Sequence, residues 1–397
     1  MEKQWVKISD VLFFQEGPGV RNTQYTSEGV KLLNVANLVD GKVDLSTSDR
    51  YISEEEAYGK YKHFLCDDGD LIVASSGIKV EYFDKKMGFI DSSMLPLCMN
   101  TSTIRFKVLN PQKLEIRFFM YYLKSNSFKE QLARHITGSA QLNYGPSHLN
   151  KMIMPLVTLE KQKEIIKKLD KIQTIIEIRQ QELQKLDELV KSRFIELFGD
   201  PKLNPRKWDM VTIGDIATDV RYGTSRPATE GGKYPYLRMN NLTYEGYLDL
   251  TDLKHIDIPD NEIEKCVVRN GDVLFNRTNS VELVGKTCVY NLDYDMIIAG
   301  YIIRVRIDDR VLPVILSSYL NSTVMKEQLR SMAKGAVNQA NINAQELRSI
   351  PIYLPPITLQ HEFATFVEQV DKSKFAVQQA LDKAQLLFDS LMQKYFW

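Results

Sequence analysis

Three short segments of the chain contain residue types that could support catalysis, but each lacks part of the required pattern. The VGKT segment (284–287) resembles the end of a phosphate-binding loop, yet Ser280 occupies the position of the first glycine. The DPK segment (200–202) lacks the separated acidic pair that would bind a metal ion in a nuclease. The Pro-Pro pair at 355–356 follows Leu354, where an adenine methyltransferase motif needs an asparagine. We therefore predict a chain without a catalytic site of its own.

The histidines and cysteines are too dispersed to suggest a metal centre. The five histidines show no ligand spacing, and the four cysteines form no CxxC pair. We expect no metal, no disulfide framework and no cofactor bound by this chain. The first ten residues lack an apolar signal-peptide core, and no run of about eighteen apolar residues occurs. We therefore expect no contact with a membrane and a cytoplasmic location.

Polar loops offer a different chemistry, which is the recognition of DNA. Arg and Lys pair with guanine and Asn and Gln with adenine, while Ser, Thr, Lys and Arg also contact phosphates. The candidates in the first half of the chain are Arg21, Asn22, Gln24 and Tyr25 (loop 17–26), Ser75, Ser76 and Lys79 (loop 75–79), and Ser139, Gln141, Asn143 and Tyr144 (loop 138–145). The candidates in the second half are Arg221, Tyr222, Thr224, Ser225 and Arg226 (loop 221–228), Asn276, Arg277, Thr278 and Asn279 (loop 276–280), and Lys334, Asn338, Gln339, Asn341 and Asn343 (loop 334–343).

Arg226 and Arg277 are the strongest single candidates among these residues. The alternative is that the loops are ordinary turns, since Gly, Asn, Ser and Pro form turns in any protein. The loop at 138–145 could instead pack at the base of a helix. The chain has 51 basic and 51 acidic side chains, so composition gives no general support for nucleic-acid binding. A coiled-coil scaffold whose domains bind proteins or small ligands therefore stays open as the competing interpretation.

Six sequence blocks occur twice, in the same order and about 200 residues apart. The pairs are KISDV (7–11) and TIGDI (212–216), LLNVANL (32–38) and YLRMNNL (236–242), GKVDL (41–45) and GYLDL (246–250), GDLIVASS (69–76) and GDVLFNRT (271–278), GSAQLNYG (138–145) and GAVNQANI (335–342), and MPLVTLEKQ (154–162) and IYLPPITLQ (352–360). Such a period indicates a duplicated domain. The polar loops differ between the copies, which favours a target with two unlike halves.

Each copy has the pattern of an α+β domain. β-branched and aromatic runs bounded by Gly and Asp predict strands, and they precede the helical patterns at 117–134 and 314–333. Apolar heptads then predict one long helix between Ile165 and Leu197 and another between Phe363 and Tyr395, each roughly 60 Å long. We predict that the helices form an antiparallel coiled coil with pseudo-twofold symmetry that separates the two domains. The alternative is that each helix folds onto its own domain.

The chain resembles the DNA-specificity (S) subunit of Type I restriction–modification enzymes over nearly its whole length. The most specific segments are LVKSRFIELFGDP (189–201), IYLPPITLQ, GDVLFNRT and GAVNQANI, together with the tandem arrangement. The MPLVTLEKQ segment departs from the family pattern because it lacks the usual double proline, which weakens the domain boundary at 155–158. On this resemblance we assign target-recognition domains to 1–157 and 200–355, and spacer helices to 158–199 and 356–397.

The resemblance also implies a function and a set of partners. Each recognition domain would read half of a bipartite sequence in double-stranded DNA, and the helices would dock two methyltransferase (M) subunits. Those subunits would carry S-adenosylmethionine and methylate adenine. Restriction (R) subunits that use ATP and Mg²⁺ would translocate and cut the DNA.

Overall fold

The computed structural model describes residues 3–135, 142–336 and 339–397. It divides into two compact units: Met1–Ile178 with Leu381–Trp397, and Arg179–Ala380. This division cuts both long helices, whereas the boundaries predicted from the sequence keep each helix whole. The predicted domain boundaries therefore stay a prediction.

The first unit consists of short strands and helices followed by one long helix. Its strands are β1 (Gln4–Lys7), β2 (Leu12–Glu16), β3 (Val30–Leu33), β4 (Leu38–Val39), β5 (Lys42–Val43), β6 (Tyr51–Ile52), β7 (Leu71–Ala74), β8 (Ser76–Ile78), β9 (Met87–Phe89), β10 (Leu97–Met99), β11 (Thr103–Val108), β12 (Leu142–Asn143) and β13 (Ile153–Leu156). Its helices are α1 (Ile8–Val11), α2 (Glu54–Tyr58), α3 (Ile116–Lys124), α4 (Asn126–His135) and α5 (Pro146–Leu149), before α6 (Leu159–Phe198), which continues into the second unit.

The second unit repeats this order of elements. Its strands are β14 (Asp209–Thr212), β15 (Ala217–Tyr222), β16 (Tyr234–Leu237), β17 (Lys254–Ile256), β18 (Val267–Val268), β19 (Val273–Asn276), β20 (Thr278–Asn279), β21 (Thr287–Val289), β22 (Met296–Ile298), β23 (Ile302–Ile307), β24 (Lys334–Ala336), β25 (Gln339–Asn341) and β26 (Pro351–Leu354). Its helices are α7 (Ile213–Ile216), α8 (Asp260–Cys266), α9 (Pro313–Asn321), α10 (Thr323–Met332) and α11 (Ala344–Arg348), before α12 (Ile357–Phe396).

The main sheet has the same antiparallel order in both units. The order is β2-β11-β7-β9 in the first unit and β15-β23-β19-β21 in the second. A second sheet in each unit contains one parallel pair, β3 with β10 and β16 with β22. The first and last strands of each domain also pair, β1 with β13 and β14 with β26. The shared topology confirms that two similar α+β domains make up the chain.

Each unit has its own apolar core. In the first unit Phe106 of the main sheet packs on Phe119 of α3, with the ring centroids 5.0 Å apart, and Phe396 of α12 joins the same cluster. In the second unit Phe194 of α6 packs edge-on against Phe363 of α12 at 5.4 Å. All five rings are buried, and burying each one contributes about 1.5–3 kcal/mol. The cores therefore attach segments of both long helices to each domain.

One fully buried glutamine fixes the start of each long helix. Gln162 accepts a hydrogen bond from the Glu115 N–H (2.9 Å) and donates to the carbonyls of Lys113 and Val157 (2.8 Å each). Gln360 makes the same three kinds of bond in the second unit, with the Leu312 N–H (2.9 Å) and the carbonyls of Arg310 (2.9 Å) and Pro355 (2.8 Å). The two repeats therefore use the same side chain, with the same three kinds of partner, at the start of the long helix.

The helix segments of the second unit run antiparallel. Asp187 of α6 forms an ion pair with Lys374 of α12, and Arg193 pairs with Glu362 at 2.6 Å. The partner numbers in α12 fall as those in α6 rise, which is the signature of antiparallel helices. The predicted antiparallel pairing is confirmed. Lys374, which interrupts the apolar seam in the sequence, is partnered by Asp187 and lies over the ring of Tyr247.

Candidate nucleic-acid interface

Three polar loops of the second unit are brought together by backbone hydrogen bonds. β20 pairs with β25, so that Thr278 lies opposite Asn341. The Arg277 N–H donates to the Tyr301 carbonyl, and the Arg277 carbonyl accepts from the Ile342 N–H, each at 2.9 Å. The neighbouring Gly300 N–H donates to the Thr224 carbonyl at 2.7 Å. The candidates from 221–226, 276–279 and 339–341 therefore share one surface region.

Arg277 packs its planar side chain on an aromatic ring in this region. Its guanidinium carbon lies 4.8 Å from the centroid of the Tyr222 ring, and the Tyr222 hydroxyl accepts from the Ala344 N–H at 2.8 Å. One of its terminal nitrogens reaches the Gly300 carbonyl at 3.5 Å, and its Nε is buried without a hydrogen bond. Within the described part of the chain no carboxylate forms an ion pair with Arg277. The planar group is thus held by an aromatic ring while several N–H donors stay available for a guanine or a phosphate.

The other two arginines of the region have acidic partners. Arg226 forms a two-pronged ion pair with Glu262 (2.6 and 3.1 Å), and Arg221 pairs with Asp219 (2.8 Å). The hydrogen bond from Arg226 lowers the pKa of the Glu262 carboxyl, so this pair stays charged at neutral pH. Both arginines are exposed, as is Ser225. A contact to DNA by Arg226 or Arg221 would have to share or replace its carboxylate partner.

Asn276 is held by hydrogen bonds within its own unit, and its predicted contact with DNA stays a prediction. Its side chain is fully buried, and its amide donates to the carbonyls of Thr278 (3.1 Å) and Tyr301 (3.0 Å). Its Oδ1 accepts from Asn279 at 2.8 Å. Thr224 and Thr278 are also buried, and the Thr278 hydroxyl donates to Asn341 at 2.8 Å. These hydrogen bonds hold the loops in place, and the three buried side chains do not face solvent.

The corresponding loops of the first unit form a similar surface. β8 pairs with β12, and the Ser75 carbonyl accepts from the Tyr144 N–H at 3.0 Å. The Ser75 side chain is fully buried and donates to Glu16 at 3.3 Å, and its predicted contact with DNA stays a prediction. Tyr144 is buried and donates to the Ala74 carbonyl at 3.0 Å. Ser76 donates to Ser102 at 2.6 Å, whereas Lys79 and Asn143 are exposed.

The loop at 17–26 is fixed by its own set of partners. Gln24 donates to Glu56 at 2.6 Å and to the hydroxyl of Tyr61 at 3.1 Å, while its Oε1 accepts from the Arg21 N–H at 3.1 Å. The ring of Tyr25 lies 5.3 Å from the guanidinium of Arg50. The side chains of Arg21 and Asn22 are exposed and point to no partner among those of the described residues. This loop can therefore offer Arg21 and Asn22 to a ligand.

Five predicted residues lie wholly or partly outside the part of the chain that the structure describes. Ser139, Gln141 and Asn338 lie outside the described residues. For Lys334 in β24 and Gln339 in β25 the structure describes the backbone.

The two units place different residues at equivalent positions of the same scaffold. Ser75 and Arg277 make the same pair of backbone bonds, to Ser102 and Tyr144 in one unit and to Tyr301 and Ile342 in the other. Glu16 and Tyr222 both end the first strand of the main sheet. A serine beside a carboxylate in the first unit is thus replaced by an arginine over an aromatic ring in the second. At this one position the first unit therefore has a carboxylate and the second unit a cation.

The glycine that follows each of these strands is required by its close approach to a neighbouring chain segment. A Cβ at Gly17 would lie 2.0 Å from the carbonyl oxygen of Asn100, and one at Gly223 would lie 2.1 Å from that of Ile298. Both distances are impossible for a side-chain carbon, so any larger residue would displace the loop. The sequence analysis missed Glu16, because Glu16 lies in none of the six repeated blocks and only the fold brings it beside Ser75.

Other kinds of site find little support in the described parts of the chain. No group of three or more His, Cys, Asp or Glu residues there could hold a metal ion. All four cysteines are buried free thiols, and burial raises the pKa of Cys66 to about 12, which disfavours a reactive thiolate. No helix among the described residues has the length and apolar character needed to cross a bilayer.

Two copies of an α+β domain, each with a hydrogen-bonded polar loop surface and each followed by a 40-residue helix, define a tandem recognition protein. Comparison with known proteins makes this class specific. The chain belongs to the family of Type I restriction modification DNA specificity domains, whose model matches residues 2–188 and 205–385. Specificity subunits of these systems are non-catalytic.

Individual relatives are distant but match over much of the chain. The Type I restriction enzyme EcoKI specificity subunit of Escherichia coli (strain K12) is 25% identical over 312 residues, which cover 73% of this chain and 67% of that protein. The EcoBI specificity subunit of Escherichia coli is 22% identical over an alignment of 430 residues, covering 99% and 85%. The crystal structure of a Type I restriction–modification S subunit from M. genitalium shares the fold, with a TM-score of 0.57, 16% identity and coverage of 100% and 96%.

Proposed function

We propose that the chain is the specificity subunit that selects the DNA target of a Type I restriction–modification system. Each recognition domain reads one half of a bipartite, asymmetric duplex sequence. The helices α6 and α12 set the distance between the two halves and dock two methyltransferase subunits. The family membership supports the general role, and the bipartite reading and the docking are the parts that need a test.

The observation that carries the proposal is the change of polar residues on a repeated scaffold. The backbone bonds around Ser75 and Arg277 are the same, but the side chains differ in size, charge and donor capacity. Arg277 can donate two parallel hydrogen bonds to a guanine, whereas Ser75 with Glu16 cannot make that contact. Two domains that differ in this way would prefer different bases, so the two half-sites would be unlike.

Exposed apolar side chains on the long helices support the proposed docking of partner subunits. Several large apolar side chains remain exposed although both helices already pack in the two cores: Ile175, Ile178, Leu189, Ile195, Phe375, Leu386 and Leu387. Phe375 is 67% exposed and Leu386 is 72% exposed. Exposed apolar groups recurring along one element are typical of protein-interaction surfaces. S-adenosylmethionine, ATP and Mg²⁺ would then be bound by partner subunits, which supply methylation and, where R subunits are present, cleavage.

The test is a selection from random double-stranded DNA, carried out with the full chain alone and with its methyltransferase subunits. Bound DNA is separated by gel shift, amplified and sequenced. We expect enrichment of two unlike short motifs separated by a gap of fixed length. Recovery of no bipartite motif under either condition would sink the proposal and favour a scaffold that binds proteins or small ligands.

A further inference from the structure

The second unit contains a cavity of about 510 Å³. It lies where α6, α9 and the first part of α12 meet the segment around Tyr247. Its lining includes Val190, Ser318, Glu368 and Asp371. Cavities of a few hundred Å³ with apolar walls and a few polar groups are typical of small-molecule sites.

The first unit shows why this space exists. The hydroxyls of Tyr122 in α3 and Tyr319 in α9 donate to equivalent carbonyls, those of Ile153 and Pro351, so Tyr121 corresponds to Ser318. The long helices can be aligned through their buried glutamines and their final phenylalanines. Asp170 and Glu368 both lie eight residues after the buried glutamine. Phe388 and Val190 both lie eight residues before the final buried phenylalanine.

A phenol ring occupies this space in the first unit. Tyr121 packs against Phe388 with the ring centroids 6.3 Å apart, and its hydroxyl donates to Asp170 at 2.6 Å. The three corresponding residues of the second unit, Ser318, Val190 and Glu368, all line the cavity. Two large side chains have been replaced by small ones, and a carboxylate has been kept at the third position. The cavity therefore includes the room that the Tyr121 ring occupies in the first unit, and it keeps a carboxylate where Asp170 accepts from the Tyr121 hydroxyl.

The polar groups of the cavity differ in how they can be reached. Glu368 is exposed and already pairs with Lys372 at 2.7 Å through one carboxylate oxygen, which leaves the other oxygen to accept from a ligand. Asn321 Oδ1 and Asp371 Oδ1 belong to lining residues, but both atoms are buried and have no hydrogen bond from any described residue. Five carboxylates and one lysine line the cavity: Asp187, Asp200, Glu245, Glu368, Asp371 and Lys191. Lys374 and Lys372 pair with Asp187 and Glu368, and the carboxylates that remain outnumber Lys191. This excess disfavours anions such as nucleic-acid phosphates and favours a neutral or cationic donor.

We propose that this cavity is a binding site for a phenol-class ring, meaning an aromatic ring that carries a hydroxyl donor and no negative charge. The ring can come from a small molecule or from a tyrosine side chain of another polypeptide, because the recognised chemistry is the same. The site is separate from the loops assigned to DNA, so its existence does not depend on the proposed function.

The test measures binding of p-cresol, the side-chain analogue of tyrosine, to the full chain by ligand-observed NMR and calorimetry. We expect saturable binding, and binding of toluene weaker by about tenfold because toluene has no hydroxyl to donate to Glu368. Ser318→Tyr, which restores the residue of the first unit, should abolish the binding. Tyr121→Ser is the matched control, because it should leave this site intact and open a second one in the first unit. Circular dichroism and the unfolding midpoint verify that the variants fold.

A tyrosine-containing tripeptide amide distinguishes the two sources. Binding as tight as that of p-cresol indicates that a polypeptide can supply the ring, and binding of p-cresol alone indicates a free ligand; both results support the site. The proposal is overturned if wild type does not bind p-cresol saturably. It is also overturned if toluene or 4-hydroxybenzoate binds equally well, or if Ser318→Tyr binds p-cresol as wild type does.

Discussion

Arg277 is held against the Tyr222 ring with most of its N–H donors unused, which suits it to a specific contact with one base or phosphate. We expect Arg277→Ala to weaken binding to the preferred DNA by about 1–3 kcal/mol and to relax base preference in one half-site. Competition gel shifts with single-base variants of the selected target measure both effects. Arg269→Ala, which removes an arginine paired with Glu264 in the same unit, is the charge control. Unchanged base preference in Arg277→Ala would remove Arg277 from the reading surface.

The buried side chain of Lys326 leads to a prediction about how the stability of the folded protein depends on pH. Its ammonium is buried in the second unit and donates to the Gly285 carbonyl at 2.9 Å, and burial lowers its pKa from 10.5 to about 7. Below about pH 7 the lysine is charged in both states, and the folded protein bears the full cost of burying that charge. Between about pH 7 and 10.5 it is neutral when folded but protonated when unfolded, so the stability it contributes rises with pH.

Lys326→Met should therefore be more stable than wild type at pH 7 and below, with an advantage that shrinks as the pH approaches 10.5. The Gly285 carbonyl stays paired in the variant because it also accepts from the Thr287 hydroxyl at 3.1 Å. Unfolding midpoints measured across this pH range test the expectation. Lys129→Met, at the corresponding and more exposed position of the first unit, is the control. A difference between Lys326→Met and wild type that does not vary with pH would show that the charge of Lys326 is not the cause.

At this scale the sequence could locate the polar loops but could not say which of their side chains face solvent. Asn276 and Ser75 have the residue types of DNA contacts, yet both are buried by partners distant in sequence, Tyr301 and Glu16. The same holds for Arg226 and Arg277. Both are arginines beside turn residues, and only the fold reveals that Glu262 pairs with the first and that Tyr222 holds the second.

At the scale of elements, the predictions succeed where the signal is local and long. The heptad pattern predicted long helices between Ile165 and Leu197 and between Phe363 and Tyr395, and α6 and α12 span Leu159–Phe198 and Ile357–Phe396. Strands of two to four residues, such as β4 and β20, have too few residues for a pattern. Their conformation is set by pairing with distant segments, which a single sequence does not reveal. The cavity of the second unit could not be predicted from the sequence either. It forms because Ser318 stands where the first unit has Tyr121, and only the fold shows that these two positions correspond.

The proposed spacer role of α6 makes a prediction about the gap in the DNA target. Inserting four residues next to Gln180 adds about one helical turn, or about 6 Å. We expect the gap between the half-sites to change while both half-site sequences stay the same. Selection from random DNA by the insertion variant measures both. Gln180→Ala, which keeps the length, is the control and should retain the wild-type gap. An insertion variant that binds with the original gap would count against the spacer role.

For the whole molecule, the duplicated architecture makes the second recognition domain a replaceable part. Its entry strand β14 and exit strand β26 pair over four residues, so both junctions of the domain lie side by side. Its attachment to α6 combines the buried aromatic core around Phe194 with hydrogen bonds from Trp208 to the Phe198 carbonyl (3.1 Å) and from Tyr353 to the Gly199 carbonyl (3.1 Å). A donor domain that keeps these two side chains should dock in the same way.

Replacing residues 205–355 with the same region of a relative should therefore change one half of the selected DNA sequence and leave the other half and the gap unchanged. The reason is that the loops around Ser75 belong to a separate core, which the exchange does not touch. Selection from random DNA by the chimera gives both half-sites in one experiment. The control is the wild-type chain rebuilt with its own residues 205–355 through the same cloning junctions. A change in both halves would refute modular reading by the two domains. A change in neither would show that the second domain contributes no base recognition, whatever its loops offer.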